Sequence, residues 1–140
     1  MEENKKTITV ESIVNAQIDK VWKYWNEPEH ITKWAFASDE WEAPSAENDL
    51  RVGGKFKTRM EAKDKSQGFD FGGVYTLVAE NKSIEYDMND GRHVKVEFTE
   101  VPEGIMIVQT FEMENQNSED KQRTGWQAIL ENFKKYTESN

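Results

Sequence analysis

Ser118-Glu119-Asp120-Lys121-Gln122-Arg123-Thr124-Gly125-Trp126-Gln127-Ala128-Ile129-Leu130-Glu131-Asn132-Phe133-Lys134-Lys135-Tyr136-Thr137 is the stretch on which the fold turns. Gln122, Trp126, Ile129, Leu130, Phe133 and Thr137 form one stripe at helical spacing, opposite Lys121, Glu131, Lys134 and Lys135. Ser118 can accept a hydrogen bond from a free amide of the first turn, where Glu119 and Asp120 suit the positive end of the helix dipole. The spacing predicts a helix of about five turns over 118–137. One apolar face on a helix that long must cover an apolar surface elsewhere in the chain.

That surface is found upstream. Phe56, Thr58, Met60 and Ala62 alternate with Lys57, Arg59, Glu61 and Lys63, which describes a strand with one dry and one wet face. The same period returns with Phe69, Phe71, Gly73, Tyr75 and Leu77, then with Ile84, Tyr86 and Met88. It returns again with Val94, Val96 and Phe98 against His93, Lys95, Glu97 and Thr99. The last run places Ile105, Ile107, Gln109 and Phe111 on one face and Met106, Val108 and Thr110 on the other. Asn89-Asp90-Gly91 and Glu103-Gly104 are tight-hairpin signals. Links this short join antiparallel neighbours, so the strands form a meander.

At the other end, β-branched residues over Thr7–Val14 predict a first strand. Ile18, Val21, Trp22 and Trp25 then mark an amphipathic helix that Pro28 ends, and a second short helix is expected over Glu29–Trp34. A polar loop follows, and Arg51-Val52-Gly53-Gly54-Lys55-Phe56 leads into the first alternating strand. The expected class is α+β: a helix-grip domain in which a curved antiparallel sheet of about six strands wraps the C-terminal helix. It fills residues 1–140 as one domain, with 1–6 as an N-terminal tail.

Composition narrows the partners. The formal charge is −9, from 27 acidic and 18 basic residues, so nucleic-acid phosphates and anionic lipid headgroups are both disfavoured. No cysteine is present, which removes thiol nucleophiles and Cys-ligated zinc. Met1-Glu2-Glu3-Asn4-Lys5-Lys6 is charged, no secretory signal follows, and no run approaches a membrane span. A cytoplasmic location is expected by elimination.

Four motifs then stand in order: Val21-Trp22-Lys23-Tyr24-Trp25, Pro28-Glu29-His30 through Trp34, Arg51-Val52-Gly53-Gly54-Lys55-Phe56, and Gly125-Trp126-Gln127-Ala128-Ile129-Leu130. With the order of elements they resemble the START-like (SRPBCC) superfamily. Within it they are similar to the family of the activator of heat shock protein 90 ATPase C-terminal domain, in a bacterial stand-alone form. The resemblance covers about Thr7 to Tyr136. It implies the helix-grip fold and raises the expectation of a cavity. The wider superfamily carries lipids, sterols and aromatic polyketides and includes cyclases and dehydratases, but fold alone transfers none of these activities.

A small apolar or amphipathic molecule is the expected partner, held between sheet and helix. Trp34, Phe36, Trp41, Phe56, Met60, Phe71, Tyr75, Tyr86, Phe98, Trp126 and Leu130 are candidates to line that pocket, although large apolar residues taken singly are more often core. Aromatic walls suit a flat or ring-bearing ligand. Gln109 faces inward if its neighbours do, and its amide then needs partners, for which Thr58 and Tyr75 are candidates. Gly125, mid-helix, reads either as close approach to sheet or ligand, or as simple tolerance.

No catalytic residue, metal site or cofactor is expected. His93 and Glu97 share a wet face but lie roughly 13 Å apart at strand rise, too far to share a metal. No nucleophile elbow or phosphate loop occurs. Two alternatives stay open. A cyclase or dehydratase would need an ionisable group inside the pocket. A protein-interaction or chaperone-regulating module would need an exposed apolar patch, for which Met106 and Val108 are candidates. Those two could also form a homodimer contact or pack under the first helices.

Overall fold

The computed structural model describes residues 6–140. Of the expected tail, 1–5 therefore lie outside the described residues. The chain runs β1 (Thr7–Val14), α1 (Ile18–Asn26), α2 (Pro28–Ile31), β2 (Trp41–Asn48), β3 (Lys55–Ala62), β4 (Gly68–Ala79), β5 (Ser83–Met88), β6 (His93–Val101), β7 (Gly104–Glu112) and α3 (Glu119–Ser139). All seven strands join one antiparallel sheet in the order β1-β7-β6-β5-β4-β3-β2. The sheet curls into a half-barrel with α3 in its grip, the helix-grip architecture the periodicities predict.

Strand alternation sets which residues meet. One inward row crosses Tyr75, Tyr86, Val94, Phe111 and Ile8, and the next crosses Ile84, Val96, Gln109 and Val10. Helix α3 adds Leu130 and Phe133, both fully buried, and Phe133 meets the edges of Trp25 and Trp34 at 4.8 and 4.9 Å. Helix α1 contributes Trp22, set edge-on to Phe98 at 5.5 Å. Polar ties fix α3 alongside β1: Gln127 Nε2 donates to the Glu11 carbonyl at 3.0 Å and Lys134 Nζ to the Ile13 carbonyl at 2.5 Å. The expected cap is present, with Lys121 N–H donating to Ser118 Oγ at 3.1 Å.

Three local readings are corrected. The polar loop before residue 51 contains a strand, β2, so the sheet has seven strands. Pro44 and a register shift between Glu42 and Ser45 erase its alternation. Proline and bulges are tolerated there because β2 is an edge strand. The second helix stops at Ile31, and its last turn continues only as single bonds such as Ala35 N–H to the Ile31 carbonyl. In β4 a bulge between Tyr75 and Leu77 flips the period, leaving Leu77 exposed and pairing Val78 with buried Ile84.

Met106 and Val108 stand half-buried on the convex face, paired with Ile13 and Glu11. The first helices instead pack on the concave side through Trp22 and Trp25, so these two residues do not lie beneath them.

Candidate ligand-binding site

The sheet curls more than α3 can fill. Between them lies a cavity of about 920 Å³, within the size range of small-molecule sites. Every expected pocket residue lines it except Phe98 and Leu130, which the structure places in the packed core. Trp34, Phe36 and Trp41 come from the segment after α1, Phe56, Thr58 and Met60 from β3, Phe71 and Tyr75 from β4, Tyr86 from β5, Gln109 from β7 and Trp126 from α3. Aromatic rings come from every one of these segments except β7. Phe56 meets Tyr86 edge-on at 4.7 Å, and Trp126 meets Phe71 edge-on at 5.9 Å while stacking on Phe111 at 3.9 Å.

The polar groups divide into satisfied and unsatisfied. Tyr75 Oη donates to Asn48 Oδ1 at 2.5 Å, and Asn48 Nδ2 donates to the Asn26 carbonyl at 2.7 Å. Gln122, a buried amide at the start of α3, donates to the Glu114 and Asn117 carbonyls and accepts from Glu114 N–H. Gln109 is just as buried, at 7% exposed, yet among the described residues its amide makes no hydrogen bond. Neither Thr58 nor Tyr75 reaches it as the sequence suggests.

The hydroxyls of Thr58, 5% exposed, and Tyr86, 6% exposed, are likewise without a hydrogen bond among the described residues. Thr137 Oγ1 is the sole described side-chain polar atom that is both sealed and unpartnered. The polar atoms of Gln109, Thr58 and Tyr86 therefore open onto the cavity.

Burial pushes the Tyr86 phenol far up, its proximity to Tyr75 adds to this, and the Arg92 guanidinium only partly opposes it. Burial also raises the Tyr75 phenol. Both stay protonated across the physiological range. Among the described residues no carboxylate, histidine or lysine is buried, so the cavity interior holds neutral polar groups. Charge gathers among the less buried lining residues, where Glu47, Asp70, Asp90 and Glu114 outnumber Arg92 and Lys121. Arg92 Nε is already paired with Asp90 Oδ2 at 2.9 Å.

Gly125 lines the cavity, and a β-carbon built there would meet nothing within 4 Å. Close approach to the sheet is thus not its role. Asn48, Arg92 and Ile129 also line the cavity, although the sequence does not mark them as pocket residues. Asn48 sits on the strand that lacks alternation, Arg92 just outside a strand end, and Ile129 was available in the helical stripe.

For a metal, the described residues offer one group, Glu27, Glu29 and His30, whose donor atoms lie within 4.8 Å of one another. It is a partly exposed surface cluster, and His30 Nδ1 is already bonded to Tyr136 Oη at 2.7 Å.

A curled sheet closed by a C-terminal helix over an aromatic cavity defines a helix-grip protein. Comparison with known proteins makes the assignment specific. The family model described as "Activator of Hsp90 ATPase homolog 1-like protein" matches residues 15–138, and the chain belongs to that family. An AHSA1-like protein from Aeromonas hydrophila is 40% identical, covering 96% of this chain and 93% of its own, with a TM-score of 0.90. Chr148 from Cytophaga hutchinsonii is 54% identical over 99% of this chain and 94% of its own, with a TM-score of 0.79. CV1439 from Chromobacterium violaceum, 20% identical over 96% of this chain and 99% of its own at a TM-score of 0.85, shares the fold. A search of curated proteins finds no match. No described helix is long and apolar enough to cross a membrane.

Proposed function

We propose that the protein binds a small apolar or amphipathic molecule in the cavity between sheet and α3, without chemistry of its own, in the cytoplasm. Family and fold are consistent with a ligand-binding or regulatory module. The observation that carries the finer reading is the cavity itself. About 920 Å³ of space is walled by Phe56, Phe71, Tyr86 and Trp126, and one of the α3 residues facing it is a glycine, Gly125. A domain optimised only for stability would fill such a space, because interiors pack closely and empty volume is destabilising.

The enzymatic alternative needs an ionisable group buried in the cavity. The described lining offers two phenols whose burial keeps them protonated, which supports binding over proton transfer. The protein-interaction alternative draws on the family name, but Met106 and Val108 are half-buried beside exposed Ile13, and the other exposed large apolar residues described, Val52, Phe69 and Leu77, belong to β4 and the loop before β3 rather than to that patch.

Native mass spectrometry of protein purified gently from its own host tests the reading. A stoichiometric adduct of small-molecule mass is expected, lost on denaturation and absent from a Gly125→Phe variant that fills the cavity. A bare apo mass for the wild type across growth conditions would overturn it.

A further inference from the structure

We propose that the ligand is an uncharged ring-bearing molecule that carries hydrogen-bonding groups, read by Gln109, Thr58 and Tyr86 from three different strands. The inference rests on the ligand-binding reading above and specifies what that cavity selects.

The three groups stand on β7, β3 and β5, at separate places on the concave wall. Each is more than nine-tenths buried, and none has a hydrogen-bond partner among the described residues. Buried polar groups are normally paired, because an unpaired one forfeits its hydration without return. Gln122 shows that this chain can fully satisfy a buried amide. At Gln109 it does not, and the open amide faces the cavity. A leucine there would serve a purely apolar pocket better.

The chemistry of the three also fixes the charge of the guest. A primary amide and two hydroxyls both donate and accept, so they suit carbonyl, hydroxyl or ether oxygens. None supplies a charge. A carboxylate carried inside would lose its hydration with no buried cation to compensate, and the charged lining residues, Glu47, Asp70, Asp90 and Glu114 against Arg92 and Lys121, are net acidic. A cation would find no buried carboxylate. Between the polar points, Phe56, Phe71 and Trp126 offer ring faces and edges for a flat body.

The test titrates naphthalene, 2-naphthol and 2-naphthoate into the full chain at neutral pH, following amide shifts of the cavity residues by NMR. The expected result is 2-naphthol binding about tenfold more tightly than naphthalene, with 2-naphthoate the weakest. A Gln109→Leu/Thr58→Val variant should abolish the advantage of 2-naphthol over naphthalene. Tyr86→Phe, which keeps the ring, should reduce that advantage. Equal affinity for naphthalene and 2-naphthol, or tightest binding of 2-naphthoate, would overturn the inference and leave the cavity's binding role standing. Failure of all three probes to move any cavity amide would overturn both.

Discussion

The indole of Trp126 lies flat on the ring of Phe111, with centroids 3.9 Å apart and planes 10° from parallel. Trp126 belongs to the helix and Phe111 to β7, so the pair fastens α3 to the sheet at the cavity wall. Phe111 is fully buried, whereas Trp126 keeps one side toward the cavity. Two consequences follow for Trp126→Phe. It should lower unfolding stability by about 1 kcal/mol through a poorer stack. It should also reduce the change in tryptophan emission on ligand binding, with Trp34 and Trp41 of the same wall supplying what remains. An emission change of the same size in the variant would place the ligand away from Trp126.

Gly125 gives two substitutions of opposite purpose. Space is open around its α-carbon, and no positive φ requires a glycine. Gly125→Ala should therefore stabilise the protein by about 1 kcal/mol, the difference in helix propensity, with ligand affinity nearly unchanged. Gly125→Phe should place a ring in the cavity and displace the ligand while the fold persists. Chemical denaturation and a binding titration on both variants check this. Destabilisation by alanine would show that the backbone there needs glycine after all.

These residues also show where the sequence was legible. The stripe from Gln122 to Thr137 and the alternation through Phe56, Tyr86, Phe98 and Phe111 each report a face that must be dry, so helix, strands and their inward sides follow from period alone. Strand β2 was hidden because edge strands need no strict alternation, and Pro44 with its bulge removes what alternation there was. Leu77 misled for a related reason, since a bulge changes the parity of a strand without marking its sequence. Gln109 was legible as inward but its lack of partners was not. Whether an amide is satisfied depends on side chains several strands away, which no local pattern encodes. Phe98 and Leu130 show the same limit, because core and cavity lining share one period and differ only in how far the sheet curls.

Thr137 tests the cost of an unsatisfied group without a cavity beside it. Its Oγ1 is fully buried, near the end of α3, and has no hydrogen-bond partner, not even the backbone carbonyl one turn earlier that helical threonines often use. Thr137→Val keeps the branched shape and removes the stranded hydroxyl, so it should raise unfolding stability by about 1 kcal/mol. Thr137→Ser keeps the hydroxyl and loses the methyl, so it should lower stability by about 1 kcal/mol. Urea denaturation of the pair reads the difference. A valine variant less stable than wild type would mean the hydroxyl finds a partner in solution.

His93 makes stability depend on pH. On the convex side of the sheet its Nδ1 meets Asp87 Oδ1 at 2.7 Å and its Nε2 meets Glu85 Oε1 at 2.8 Å, while its backbone N–H donates to Glu112 Oε1 at 2.6 Å. Hydrogen bonds to Asp87 and then Glu85 hold the imidazolium charged and raise its pKa above the ordinary 6.5, against the opposing effect of burial. The folded state therefore binds the proton more tightly than the unfolded chain does. The resulting stabilisation is complete below about pH 6.5 and disappears as pH rises through the raised folded value. With the ring more than a third exposed, solvent screening keeps the effect modest. His93→Gln retains a polar side chain but cannot titrate. Urea midpoints measured at about pH 5.5 and about pH 9 should fall more for the wild type than for the variant. An NMR titration of the ring should show the raised value directly. Parallel pH dependence in the two proteins would mean that the two carboxylates do not hold the ring in solution as they do in the structure.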